Sequence, residues 1–136
     1  QGSATMNIYL EEIHDGDERQ RSLVLSTRTL KTSGDPPQAR GGHAAVLLGT
    51  NLYIIGGANR NQEYSTRIAK LDLTKAAWEE VEPSGGNPPP RAGHTAVVWA
   101  KRHAVVHGGM YMPTQEFYND TWVLKEEEHG VCWIEP

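Results

Sequence analysis

The apolar residues of this chain fall in short runs that are separated by turn-forming residues. In the middle of the chain, the runs 43–48 and 52–55 flank Gly49-Thr50-Asn51, a sequence typical of a tight hairpin turn. A polar stretch follows, and after it come the runs 68–73 and 77–81. The runs 43–48 and 52–55 are nearly continuous in apolar residues, which is typical of strands buried on both faces. The pattern therefore predicts a series of short β-strands and no long helix.

The same arrangement returns in the last third of the chain, where four further strands are predicted at 95–99, 104–107, 121–124 and 131–134. Arg91 follows Arg40 by 51 residues, and the pair Gly108-Gly109 follows Gly56-Gly57 by 52 residues. Landmarks that return in the same order at nearly one period indicate a repeat protein.

The period divides the chain into two complete units, which we predict at residues 35–86 and 87–136. Within them, residues 122–124 align with residues 71–73 at a shift of 51. The stretch 4–34 contains half a unit, with its third strand at 7–10, a turn at 14–17 and its fourth strand at 22–30. The opening residues 1–3 are interpreted as the scar of a cleaved tag.

Several landmarks of each unit together resemble the kelch repeat. The first unit has the sequence Arg40-Gly41-Gly42-His43, an apolar strand, a second strand that ends at a glycine pair, and a spaced tryptophan. The second unit repeats them and adds Tyr118-Asn119-Asp120-Thr121-Trp122 before its third strand. The resemblance implies an all-β chain built of kelch-type β-propeller blades, each with four antiparallel strands. With about two and a half blades, the ring is expected to be incomplete in this chain.

Most of these landmarks are expected to have structural roles. Glycine pairs allow a positive φ where the backbone is crowded, the histidines begin the innermost strands and bond neighbouring backbone, and the tryptophans pack between blades. The residues assigned to this group are His43, Gly56, Gly57, Trp78, His94, Gly108, Gly109, Trp122 and Trp133.

A protein or peptide partner is predicted to bind at the loops between the second and third strands, which the resemblance places on one face of the propeller. Tyrosine and arginine recur at binding hot spots, and methionine makes an adaptable apolar contact. The resemblance implies either of two roles for the motif arginines, which tie neighbouring blades or face a ligand. The predicted contact residues are Arg40, Arg60, Tyr64, Arg91, Tyr111 and Met112.

Composition and charge narrow the functional classes. The formal net charge of −4 and the pI of about 5.8 argue against nucleic-acid binding. Every apolar run is too short for a transmembrane helix, so no membrane association is expected. Cys132 is the single cysteine, and no signal peptide is recognisable. These observations favour an intracellular location, either cytoplasmic or nuclear, with the cytoplasm preferred.

The sequence carries no recognisable catalytic motif, and neither a cofactor nor a metal is predicted. His103 and His107 share a strand face but would lie about 13 Å apart, which is too far for one metal ion. If the full-length protein has an activity, it is expected in another domain, because kelch repeats occur fused to phosphatases and to ubiquitin-ligase adaptors. Two alternatives remain, a kelch-type oxidase or iron-dependent specifier enzyme, and a segment that only completes a ring.

The chain is also expected to self-associate. A blade buries apolar side chains on both of its faces, so a short stack leaves its end faces exposed. We expect these open faces near Tyr9 and Leu25 at one end and near Trp99 and Val106 at the other.

Overall fold

The computed structural model describes the backbone of residues 3–14 and 21–135 and the side chains of residues 29–135. The described residues contain strands and turns but no helix, as predicted. The strands are β1 (Ser3–His14), β2 (Arg21–Lys31), β3 (Ser33–Gly34), β4 (Ala44–Leu48), β5 (Asn51–Ile55), β6 (Ile68–Asp72), β7 (Ala77–Val81), β8 (Thr95–Trp99), β9 (His103–His107), β10 (Met110–Tyr111), β11 (Glu116–Phe117), β12 (Thr121–Glu127) and β13 (Gly130–Ile134).

The chain divides into two compact units, residues 1–33 and 34–136. In the first unit, β1 and β2 pair antiparallel as a two-stranded sheet, and the register shifts between Thr5 and Ile8. The strands predicted at 7–10 and 22–30 lie within this pair, although both observed strands are longer. Most of the predicted turn at 14–17, residues 1 and 2, and the side chains of Tyr9 and Leu25 lie outside the described part of the chain.

The second unit contains the two predicted blades. Their sheets have the strand orders β3-β7-β6-β5-β4 and β13-β12-β9-β8, with antiparallel pairing between the successive long strands. The short strand β3 lies at the edge of the first sheet, where the N–H of Asp35 donates to the carbonyl of Trp78 at 3.3 Å. The eight strands predicted for the two complete units begin within one residue of the observed ones, and β12 extends three residues further than predicted.

The register corrects the predicted alignment of the third strands. Leu71 lies between Leu52 and Trp78, and Leu124 lies in the same way between Ala104 and Trp133. Leu71 and Leu124 are therefore equivalent, and the shift between the third strands is 53 residues, not 51. An error of two residues escapes notice in the sequence because side chains alternate with a period of two and stay on the same face.

The hydrophobic core of this unit lies between the two blades. The first blade contributes Val46, Leu48, Tyr53, Ile55 and Ile68 to this buried cluster. The second blade contributes Ala104, Val106, Trp122, Leu124, Val131 and Trp133. The rings of Trp122 and Trp133 meet edge to face, with centroids 6.3 Å apart. Trp78 is also buried, but it lies outside this cluster.

The opposite side of the second blade is open, and we call it the outer face. A cross-strand row of Val97, Val105, Val123 and Ile134 runs along it, next to Trp99. Val97 is 60% exposed and Trp99 is 61% exposed. The burial of both faces that was predicted for the runs 43–48 and 52–55 is wrong for β4, where Leu47 is 48% exposed. Trp99 lies on the open end face, as expected. Val106 was also expected on this face, but it is fully buried between the blades because its side chain points to the other side of β9.

The first glycine pair lies at a close approach between the two blades. Gly56 and Gly57 both have positive φ, at 66° and 88°. A Cβ atom on Gly56 would lie 2.5 Å from Cε1 of His94 and 2.7 Å from the carbonyl oxygen of Arg91. Only glycine fits this contact without displacing the second blade.

Candidate functional site

The loop of the first blade between β5 and β6 is held by one asparagine. The side-chain oxygen of Asn59 accepts hydrogen bonds from the N–H groups of Asn61 and Glu63 at 2.9 and 3.0 Å. Its amide donates to the Glu63 carboxylate at 2.5 Å. Asparagine often closes such turns because its short side chain substitutes for a backbone acceptor. This loop therefore has its own internal support, and it presents Arg60 and Tyr64.

The corresponding loop of the second blade forms a small hairpin. The strands β10 and β11 pair Met110 with Phe117 and Tyr111 with Glu116. The turn is closed by the N–H of Gln115, which donates to the carbonyl of Met112 at 3.1 Å.

The two loops meet across the boundary between the blades. The rings of Tyr64 and Tyr111 pack edge to face, with centroids 4.9 Å apart. The N–H of Met112 donates to the hydroxyl of Tyr64 at 3.3 Å. Three of the residues predicted to contact a partner are thus neighbours, although Tyr64 and Tyr111 come from different repeats. An edge-to-face aromatic pair contributes about 0.5–1.5 kcal/mol beyond the area that it buries.

Arg40 and Arg60 lie on the same side of the first blade. They line a hollow of about 390 Å³ together with Ala39, Gly41, Ala58 and Asn59. Arg60 is exposed, and Arg40 is half-buried. We call the surface formed by Arg40, Arg60, Tyr64, Tyr111 and Met112 the loop face.

Arg91 is placed differently from Arg40. Its side chain is 3% exposed and forms a two-pronged ion pair with Asp120, at 2.6 Å from Nη1 to Oδ1 and 2.8 Å from Nη2 to Oδ2. Its guanidinium also lies over the ring of Tyr118, 4.4 Å from the centroid, and donates to the carbonyl of Gly108 at 2.9 Å. These contacts tie the beginning of the blade to its third strand and leave Arg91 outside the loop face.

The ion pair also affects the titration of its acidic member. The hydrogen bonds from Arg91 lower the pKa of Asp120 to about 2, with a smaller contribution from the indole N–H of Trp122, which donates to Oδ2 at 2.8 Å. Arg91, Asp120 and Trp122 thus form one connected polar network at the edge of the core.

The two motif histidines differ as well. His94 is buried, and its Nε2 lies 2.9 Å from the carbonyl oxygen of Ile55 in the other blade, which makes Nε2–H the donor. Its Nδ1 is buried without a hydrogen-bond partner. Burial lowers the pKa of His94, and the positive charge of Arg91 contributes in the same direction. His43 is exposed. His94 is therefore a neutral bridge between the blades.

A polar contact that the sequence did not reveal lies at the opposite end of the strands. The Glu126 carboxylate of the second blade accepts hydrogen bonds from the Tyr53 hydroxyl at 2.5 Å and the Asn51 amide at 3.0 Å. Burial and the negative charge of Glu126 both raise the pKa of Tyr53. No periodic signal marks this contact, because Glu126 lies in the part of β12 that extends beyond the predicted strand.

The described residues show no arrangement for metal chemistry. No group of three or more His, Cys, Asp or Glu side chains that could hold a metal ion occurs among them. His103 packs against the ring of Trp99, with centroids 5.4 Å apart, and Nδ1 of His107 lies 2.9 Å from the hydroxyl of Thr121. The Cys132 thiol, whose pKa is raised by burial, is 3.5 Å from the Glu127 carboxylate. In the part of the chain that the structure covers, no helix is long and apolar enough to cross a membrane.

Comparisons with known proteins agree with this architecture. A family model described as the KLHDC2/KLHL20/DRC7 kelch-repeats domain matches residues 15–136. Acyl-CoA-binding domain-containing protein 5 of Arabidopsis thaliana is 40% identical over 80 residues, which are 59% of this chain and 12% of that protein. Human multiple epidermal growth factor-like domains protein 8 is 35% identical over 114 residues, which are 78% of this chain and 4% of that protein.

The solved structure of YjhT superposes on this chain with a TM-score of 0.61 at 18% identity, and the match covers 82% of this chain and 35% of the YjhT chain. At this identity the likeness concerns the fold alone, which is a propeller-like arrangement of blades without a closed ring in this chain. The chain spans only a small part of each of these relatives. From the family match over residues 15–136 and the two blades, each with four long antiparallel strands, we conclude that the chain belongs to the kelch-repeat family.

Proposed function

We propose that this chain is a protein- or peptide-binding module without chemistry of its own, and that the loop face is its contact surface. Kelch-repeat domains are in general interaction modules. The observation that carries the proposal is the packing of Tyr64 on Tyr111 beside the hollow lined by Arg40 and Arg60. Aromatic and arginine side chains held in place before binding lose little conformational entropy when a partner docks.

The proposal includes an intracellular location, preferably cytoplasmic, and a longer protein in which any catalytic activity resides in another domain. The kelch-type oxidase and specifier alternatives require a resident metal. Metal analysis of the purified chain tests them, because stoichiometric copper or iron would favour an enzyme.

A peptide selection tests the loop face directly. Random peptides are selected on the wild-type chain by phage display. Their affinity is then measured by calorimetry for the wild type, for Tyr111→Ala and for a control, Arg102→Gln. Arg102 lies at the opposite end of the strands from the loop face. A hot-spot residue contributes about 2 kcal/mol or more, so we expect Tyr111→Ala to weaken binding roughly thirtyfold while Arg102→Gln leaves it unchanged. Equal binding to all three chains would place the contact surface elsewhere.

We further propose that copies of the chain self-associate through the outer face. Val46 and Leu48 of the first blade are 4% and 0% exposed because the second blade covers them. Their equivalents in the next repeat are Val97 and Trp99, both about three-fifths exposed. An apolar sheet face of this kind is rarely left uncovered in a soluble protein.

A further inference from the structure

The corrected alignment of the repeats reveals a difference around the two motif arginines. At a shift of 53, Asp120 of the second blade corresponds to Arg67 of the first, and Tyr118 corresponds to Ser65. The backbone is the same at this point, since the N–H of Tyr118 donates to Gly109 and the N–H of Ser65 donates to Gly57. Both groups that enclose Arg91, a carboxylate and an aromatic ring, are therefore replaced in the first blade.

As a consequence, Arg40 is only partly satisfied. Its Nη1 donates to the carbonyl of Gly56 and its Nε to that of Gln38, both at 3.3 Å. No carboxylate among residues 29–135 forms an ion pair with it. Burial lowers the pKa of its guanidinium, against the opposing charge of Glu80. A guanidinium has five N–H donors, so Arg40 retains donors for a ligand in a site that is already partly desolvated.

A groove lies where the replaced groups would be. It has a volume of about 300 Å³ and is lined by Arg40, Ser65 and Arg67, with the link 35–39 and Tyr64 around them. Two acidic residues that line it are already engaged, because Glu80 pairs with Arg67 and Glu63 accepts from Asn59. Asp35 is the third carboxylate in the lining. The groove thus offers a partly buried arginine beside the loop face.

We propose that Arg40 binds a carboxylate of the partner in this groove, in the way that Arg91 binds Asp120 within the chain. The proposal rests on the proposed function and specifies the chemistry that its partner presents. An arginine fork matches a carboxylate with two parallel hydrogen bonds. The open space of Ser65 in place of Tyr118 accommodates an aromatic ring beside that carboxylate.

Small peptides test the carboxylate and separate its two sources. The ¹⁵N-labelled chain is titrated with acetyl-Asp-Tyr-amide, which carries a side-chain carboxylate, with acetyl-Gly-Tyr acid, which carries a chain-end carboxylate, and with the uncharged acetyl-Asn-Tyr-amide. We expect at least one acidic peptide to shift the Arg40 Nε–H and Gly57 N–H resonances in a saturable way, at least tenfold more tightly than the uncharged peptide. The acidic peptide that binds identifies the source. Equal response to all three, or no saturable shift, would overturn the proposal.

Three substitutions link the response to Arg40. Arg40→Gln should weaken binding of the acidic peptide at least tenfold. Arg102→Gln makes the same charge change far from the groove and should leave binding unchanged. Arg67→Asp rebuilds the carboxylate of the second blade next to Arg40, so it should abolish peptide binding while raising the melting temperature. Unchanged binding in Arg40→Gln or in folded Arg67→Asp would refute the assignment.

The outcome separates this inference from the proposed function. Tyr111 does not line the groove, so Tyr111→Ala should keep the carboxylate response while it loses the selected peptides. If the acidic peptides do not bind but binding of the selected peptides still depends on Tyr111, only the proposal of a carboxylate site is wrong. If the acidic peptides bind but Tyr111→Ala leaves binding of the selected peptides unchanged, the carboxylate site is supported and the proposed contact surface is wrong.

Discussion

At the residue scale, the two repeats use the same arginine in opposite ways. Arg91 is enclosed by Asp120 and Tyr118, and it holds the entry of its blade against the third strand. Arg40 has the same backbone surroundings but lacks both partners, because Arg67 and Ser65 stand in their places. A buried charged group destabilises the fold when its partner is removed, so Arg91 depends on Asp120, whereas a half-buried charged group without a partner is available to a ligand.

The Arg91–Asp120 pair leads to a stability prediction. Asp120→Asn leaves the buried guanidinium without its anion, so we expect the free energy of unfolding to fall by about 2 kcal/mol. Removing one partner of a fully buried pair costs about 3–5 kcal/mol, and the partial exposure of Asp120 reduces this. The measurement is urea unfolding at pH 7. A change below about 0.5 kcal/mol would mean that the pair contributes as little as a surface ion pair.

The same pair has a defined pH dependence. Asp120 has a folded pKa of about 2, below its unfolded value of about 3.9, so its stabilising effect is present above pH 4 and is lost as the pH falls toward 2. The stability difference between the wild type and Asp120→Asn should therefore narrow over this range. A difference that stays constant down to the lowest pH at which the chain folds would contradict the lowered pKa.

His94 predicts a second pH effect, near neutrality. Its folded pKa is lowered, so below about pH 6.5 the unfolded chain binds a proton that the folded chain excludes. The stability of the wild type should fall as the pH drops from 7.5 to 5, by more than that of His94→Gln, which does not titrate. The other histidines are common to both chains and cancel in the comparison. Parallel pH profiles would show that His94 is accessible to protons when folded.

At the element scale, the two blades are joined at both ends of their strands. At one end, the loops between the second and third strands of each blade meet through Tyr64 and Tyr111. There the N–H of Met112 also donates to the Tyr64 hydroxyl. At the other end, Glu126 in the extended β12 accepts from Tyr53 and Asn51 of β5. The apolar cluster lies between the two ends. Hydrogen bonds at both ends set the register of one sheet on the other, which apolar packing alone specifies less closely.

Removing one hydroxyl tests the polar contact at the Glu126 end. Tyr53→Phe should lower the free energy of unfolding by about 1.5 kcal/mol, the lower part of the range for hydrogen bonds to charged groups. Tyr64→Phe is the matched control, since the Tyr64 hydroxyl only accepts a long bond from the N–H of Met112. Because the pKa of Tyr53 is raised in the folded chain, wild-type stability should also fall above about pH 10, and that loss should be smaller in Tyr53→Phe. Equal effects of the two substitutions would contradict a role for Glu126.

At the scale of the whole molecule, the second blade leaves a sheet face without a partner. The residues that would lie between this blade and a further one form an apolar row that ends in Val97 and Ile134, with Trp99 beside it. Repeat proteins take much of their stability from the interfaces between neighbouring repeats, so an end repeat without a neighbour is the weakest part of the array. Covering this face would stabilise the chain.

Self-association through the outer face is tested by sedimentation at low micromolar concentration. We expect the wild type to sediment as a dimer or larger species, and Trp99→Lys to sediment as a folded monomer of 15.1 kDa. Leu73→Lys serves as the control, because Leu73 is exposed in the turn that follows β6, away from the outer face. A wild-type chain that is monomeric and well folded would contradict this proposal.

The sequence by itself determined the fold class, the repeat and nearly every strand of the two complete blades. Runs such as 43–48 and glycine pairs such as Gly56-Gly57 are local signals, and their recurrence places them in register. The alignment of the two third strands stayed ambiguous by two residues. Side chains of a strand alternate with a period of two, so a shift of two residues keeps every side chain on the same face. Only the tertiary structure showed that the shift between the third strands is 53 residues, which makes Arg67 the equivalent of Asp120. It also decided that Arg91 is enclosed and Arg40 open, because enclosure depends on contacts between residues nearly thirty positions apart in the chain.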